Sequence, residues 1–144
     1  MRFWDASAIV PLVVREATTE IVQGWLREDP DIALWGLTWV EIASAVERRV
    51  REGQIPSSAR QSILRRVARI AGDAHEISDL AAVRTRALPL LARHPLRAAD
   101  ATQLGAALVI ADSDPSSLTM VVLDPRMAHA AEREGLRVLT WPET

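Results

Sequence analysis

The chain has 144 residues, is 49% hydrophobic and 25% charged, and sets 17 basic against 19 acidic residues for a net charge of −2. That length suits one domain with a sizeable core of its own. The absence of cysteine excludes disulfide scaffolds, zinc ribbons, thiol catalysis and iron–sulfur chemistry. His75, His94 and His129 share no metal-ligand spacing, which argues against a histidine-rich transition-metal site. No apolar run approaches the roughly 20 residues of a membrane span, and Asp5 falls where a signal peptide would be apolar. A soluble, cytoplasmic protein is expected. Every basic residue is arginine, and without a basic excess any nucleic-acid contact must be local.

Taken in order, Arg2-Phe3-Trp4 reads as a short strand, followed by a helix running to Pro11 or just beyond. Thr18 to Glu28 is helical, with Ile21, Val22, Trp25 and Leu26 on one face, and Asp31 to Leu37 is a second strand. In Trp39 to Glu52 the apolar positions Trp39, Ala43, Val46 and Val50 step by four, three and four, a helical period that Gly53 stops. Pro56 opens a helix striped by Ile63, Val67 and Ile70, which Gly72 ends. His75 to Ile77 is a short strand, and Ser78 is expected to cap a helix carrying Leu80, Val83, Ala87 and Leu90. His94-Pro95 breaks the chain before a helix from Arg97 to Ala111, and 112–117 is a polar surface loop. Thr119 to Leu123 is a continuous apolar run, as in a parallel strand buried on both faces. A helix from Pro125 to Glu134, stopped by Gly135, and a strand from Arg137 to Thr140 complete the pattern. Alternation of strands and helices without repeat or linker predicts one α/β domain over 1–144, with a mostly parallel sheet of four to five strands flanked by helices.

Four carboxylates fall at comparable places. Asp5 and Asp124 end strands, and Glu41 and Asp100 lie in the first turns of helices. Ligands of parallel α/β sheets bind beyond the carboxyl ends of the strands, so the four converge if those ends share one side. Each also has a purely structural explanation. Asp124-Pro125 fits an N-cap with proline at the first helical position, Thr38-Trp39-Val40-Glu41 fits a capping box, Asp5 can cap the first helix, and Asp100 suits the positive end of its own. Converging carboxylates repel unless protonated or held by a cation. An all-oxygen set suits Mg2+ or Mn2+ and points to phosphodiester or phosphoryl chemistry.

Phe-Trp-Asp5-Ala-Ser7-Ala, Val-Glu41-Ile-Ala-Ser, Arg97-Ala-Ala-Asp100-Ala and Val-Leu-Asp124-Pro-Arg together resemble a PIN-domain ribonuclease, most closely the VapC-like toxin of bacterial toxin–antitoxin pairs. The resemblance runs from Met1 to about Trp141 in motif order and spacing. It implies a PIN fold and Mg2+- or Mn2+-dependent endonuclease cleavage of RNA, with Asp5, Glu41, Asp100 and Asp124 as the acidic, metal-holding cluster. Ser7 matches a supporting polar position, and Arg97 matches an arginine three residues before the third acid. A small antitoxin partner and a homodimer are further implications. The chain departs from the pattern at Val122, where relatives often carry a hydroxyl, and in a long loop at 111–118.

Beside Arg97, Arg126 is a phosphate-contact candidate, although an ion pair with a neighbouring acid explains Arg97 and a solvated face explains Arg126 as well. Asp112 and Asp114 stand as substitutes for Asp124. Trp25, Trp35 and Trp39 suit either core or a partner groove, and Arg60, Arg65, Arg66 and Arg69 suit a solvated face. Two other classes compete. A PIN-fold module that binds RNA or protein without cutting would carry the same framework. An aspartyl phosphotransferase would need Asp-x-Asp and a lysine, where this chain has Asp5-Ala6-Ser7 and no lysine.

Overall fold

In a computed structural model, residues 1–142 are described. Five strands, β1 (Arg2–Trp4), β2 (Ile32–Trp35), β3 (His75–Ile77), β4 (Thr119–Val121) and β5 (Arg137–Leu139), form one sheet in the order β3-β2-β1-β4-β5. Every neighbouring pair is parallel. Seven helices flank the sheet: α1 (Ala6–Val13), α2 (Thr19–Glu28), α3 (Thr38–Arg51), α4 (Arg60–Asp73), α5 (Leu80–Arg93), α6 (Ala98–Ala111) and α7 (Pro125–Arg133). The predicted parallel α/β architecture is thus the one observed.

Alternation along the strands divides the core between the two faces of the sheet. Phe3, Ala33, Trp35, Met120 and Val122 pack toward α5, α6 and α7. Trp4, Ile32, Leu34 and Val121 pack toward α1, α3 and α4. Trp35 is core, buried to 3% exposure, whereas Trp39 stays partly exposed and donates from its indole Nε1 to Glu76 at 2.8 Å.

Several expected boundaries shift. β2, β4 and β5 are shorter than expected, because Asp31, Gly36, Leu37, Val122, Leu123 and Thr140 lie beyond the strands. A single 3-10 turn at Ser57–Ala59 follows Pro56, α4 begins at Arg60, and Gly72 lies inside that helix rather than ending it. Asp79, not Ser78, caps α5, its carboxylate accepting from the Ala82 backbone N–H at 3.0 Å. α5 and α6 approach closely at Gly105: a Cβ there would stand 3.0 Å from the Val83 carbonyl oxygen and 3.1 Å from Ala87. Glycine is what allows α6, and with it Asp100, to seat at this depth.

The chain builds β1, β2 and β3 outward in one direction, then returns to add β4 and β5 on the other side. The reversal lies between β1 and β4, where the crevice of an open parallel sheet forms.

Candidate active site

Asp5 leaves β1 at that crevice. Its backbone N–H donates to the Val121 carbonyl at 3.0 Å, and its carboxylate caps α1 by accepting from the Ser7 N–H at 3.0 Å. Ser7 makes a second tie, its Oγ accepting from the Leu123 N–H at 2.9 Å, which fixes the start of α1 against the end of β4. Asp124 follows that end and caps α7, accepting from the N–H groups of Arg126 at 2.9 Å and Met127 at 3.3 Å. Asp100 sits in the first turn of α6 and accepts from the Arg97 backbone N–H at 3.1 Å. The capping roles foreseen for Asp5 and Asp124 are therefore real, but a cap occupies only part of a carboxylate's accepting capacity.

The capping box proposed for Glu41 does not form. Thr38 is already inside α3, and Leu37 is the cap residue. The Glu41 carboxylate instead accepts from the side-chain amide of Gln103, which also donates to Thr38 Oγ1 at 2.8 Å. Gln103 is fully buried, and its Oε1 has no partner among the described residues. Sequence reasoning missed this residue, although a glutamine three positions after Asp100 and directly before the run Leu104-Gly-Ala-Ala is a visible signal.

Asp5, Glu41, Asp100 and Asp124 all line one cleft of about 660 Å³, together with Ser7 and Arg97. Burial raises the Asp5 carboxyl above the usual carboxylate range, against the pull of the Ser7 hydroxyl and N–H, and the charges of Asp100 and Asp124 add to the rise. Burial likewise lifts Glu41 to about 7, opposed by the Gln103 amide and reinforced by Asp5 and Asp100. Repulsion within the group is thus a physical property of the cleft. Among the described residues, no three His, Cys, Asp or Glu side chains stand together as a ready-made ligand set. The carboxylates surround the cleft without closing on one point.

Arginines occupy the rim. Arg48, Arg49, Arg97 and Arg126 line the cleft beside the acids; Arg48 and Arg49 were not singled out in the sequence. Arg49 pairs with Glu16, while Arg48, Arg97 and Arg126 make no ion pair among the described residues. The ion pair considered for Arg97 is therefore absent among the described residues. Asp112 and Asp114 lie outside the cleft. Asp114 caps the 3-10 turn at Pro115–Ser117, which leaves Asp124 as the fourth carboxylate there. Of the α4 arginines, Arg60 pairs with Glu47 and Arg66 donates to the Val13 carbonyl.

No curated protein sequence matches the chain at a significant level. Among solved structures, PAE2754 from Pyrobaculum aerophilum is similar with a TM-score of 0.61 and 21% identity, covering 95% of this chain and 82% of the other. FitAB bound to an IR36 DNA fragment is similar with a TM-score of 0.61 and 18% identity, covering 100% and 99%. At those identities the likeness is one of fold. The family description "PIN domain" matches residues 2–134. With this match over nearly the whole length and acids gathered at the sheet's switch point, the chain belongs to the PIN domain family, whose members are generally nucleases.

Proposed function

We propose that the protein is a Mg2+- or Mn2+-dependent endoribonuclease and the toxin of a VapC-like toxin–antitoxin pair, working as a homodimer in the cytoplasm. The observation that carries this reading is one cleft lined by four carboxylates, of which Asp5, almost fully buried, and Glu41 are repelled by their acidic neighbours, with Arg48, Arg97 and Arg126 unpaired at its rim. Such a donor set fits a hard divalent cation, and Mg2+ keeps several waters, so it needs only one or two direct carboxylates. The spacing of the acids around the cleft is compatible with that mode of binding.

When bound, the cation supplies charge neutralisation, activation of a water and stabilisation of the leaving 3′-oxygen, giving 5′-phosphate ends. Asp5, Glu41, Asp100 and Asp124 would hold it. Gln103 keeps the Glu41 carboxylate turned into the cleft, and Ser7 locks the Asp5 turn against β4. Arg97 and Arg126 offer planar forks for the phosphates on either side of the scissile bond, and Arg48 extends the cationic rim along α3. With acids at the centre and arginines around them, the cleft would hold a polyanion by its flanks and set one phosphate against the acids. RNA as substrate and a small antitoxin covering this cleft follow from the VapC resemblance.

The spread of the carboxylates also favours a second reading, a PIN-fold module that binds without cutting. Calorimetric titration with Mn2+ separates the two. Saturable binding to the wild type that Asp100→Asn abolishes, with Mg2+-dependent appearance of 5′-phosphate ends in single-stranded RNA, is the expected result. Equal heats from both proteins up to millimolar Mn2+ would overturn the nuclease reading in favour of the binding module.

A further inference from the structure

Beside the carboxylate cleft lies a second, smaller space with a different chemistry. α7 presents Pro125, Arg126, His129, Ala130 and Arg133 at spacings of three and four, hence on one face of the helix. The turn at His94-Pro95 stands opposite, enclosing a cleft of about 260 Å³. His94 is buried and held rigidly, its Nε2 2.6 Å from Glu134 Oε1. Arg93 donates to the same glutamate at 2.9 and 3.1 Å. Burial tends to raise the Glu134 carboxyl, but the bonds from His94 and Arg93 outweigh it and hold the group below its ordinary value. That carboxylate is committed to its partners and leaves the cleft without a free anion.

Pro95, Pro125 and Ala130 give the cleft an apolar lining, and the two prolines bring no backbone N–H to it. Arg126, His129 and Arg133 are exposed at its edge, and neither arginine has an ion-pair partner among the described residues. A bare phosphate would use the arginines at the edge and leave the proline and alanine lining empty, and a cation would meet those arginines. A flat heteroaromatic ring finds ring faces to stack on and cations to hold the phosphates attached to it. Arg126 lines both spaces, so a base in the smaller cleft has its phosphate beside the acids.

We infer that the cleft between α7 and the His94-Pro95 turn is a nucleobase subsite, receiving the base of a nucleotide next to the phosphate handled by the carboxylates. The inference rests on the nuclease reading for the identity of the strand. Without backbone donors at its floor, the subsite selects by ring size and stacking more than by hydrogen-bond pattern, a preference and not a strict code.

The test needs neither metal nor turnover. Isotope-labelled protein is titrated with each of the four nucleoside 5′-monophosphates and with ribose 5-phosphate, which lacks the base, and amide and imidazole resonances are followed by NMR. At least one nucleotide is expected to bind about tenfold tighter than ribose 5-phosphate, moving the signals of His94, His129 and Ala130. The exposed substitution His129→Ala is expected to reduce that preference to about twofold. Equal affinities for nucleotides and ribose 5-phosphate, shifts confined to Arg97 and Arg126, or no binding at all would overturn the subsite. So would an acidic peptide that moves the same signals when nucleotides do not, which would make the cleft a protein contact. Failure here leaves the nuclease reading to the Mn2+ titration, and failure of that titration leaves the nucleotide shifts standing.

Discussion

Substituting Glu41→Gln should make the metal-free protein more stable at pH 8 and leave its stability unchanged at pH 4. Glu41 titrates at about 7 in the fold against an ordinary 4.5. Between those values the folded chain keeps a proton that the unfolded chain has released. The associated stability is therefore complete below pH 4.5 and is lost as pH rises through about 7. At about 1.4 kcal/mol per pH unit the full gap amounts to roughly 3 kcal/mol. The Glu41 carboxyl is only partly buried, and solvent screening reduces the figure to about 1–2 kcal/mol. Glutamine is uncharged at every pH and can still accept from Gln103, so the variant escapes this loss. Thermal melts in a chelating buffer at pH 4, 6 and 8 would read it as a gain of about 4 °C at pH 8. Millimolar Mn2+ should narrow the difference by stabilising the wild type more than the variant, since a bound cation takes over the role of the proton. A variant no more stable than wild type at pH 8, or stabilised equally at pH 4, would refute the reasoning, because the ionised carboxylate would then not be the source of strain.

Substitutions at two further positions, Asp124 and Gln103, separate a structural role from a role in the cleft. Asp124→Ser keeps an N-cap acceptor for α7 but removes the carboxylate, so chemical denaturation should shift by less than about 0.5 kcal/mol while Asp124→Ala costs about 1 kcal/mol. Both should weaken Mn2+ binding in calorimetry to the same extent; unaltered binding in either would make Asp124 a cap alone. Gln103→Leu removes the amide that holds Glu41, and RNA cleavage at saturating Mn2+ should fall about 10- to 100-fold, the effect typical of losing a group that orients a ligand. Gln103→His, which restores a donor, should recover part of that loss, whereas a merely structural role for Gln103 would show in melting temperature and not in this rescue.

The architecture was legible because strand and helix periods alternate cleanly between Arg2 and Leu139, and because residues such as Asp5 and Asp124 sit where an apolar strand gives way to a helix. Strand ends were harder to read. Val122 and Leu123 continue the apolar run after the β4 ladder has ended, since burial extends beyond strand pairing, while Leu37 belongs to the turn after β2 and is exposed. The surroundings of Glu41 could not be read locally at all. A glutamate three residues after Thr38 satisfies the capping-box pattern, yet its actual partner is 62 positions away on another helix. Local sequence carries the capping alternative and is silent on the tertiary one that prevails. For the same reason His94, which reads as a turn residue before proline, proves to be buried against Glu134.

The bond from the Leu123 N–H to Ser7 Oγ joins residues 116 positions apart, and β4 must find its place beside β1 before it can form. Asp5 and Asp124 follow the two strands that this bond ties together, so the crevice between them cannot exist before both strands have paired. Closing so long a loop comes late in folding, after the local helices have formed. The cleft is thus assembled last, and whatever chemistry it carries waits on the completed sheet.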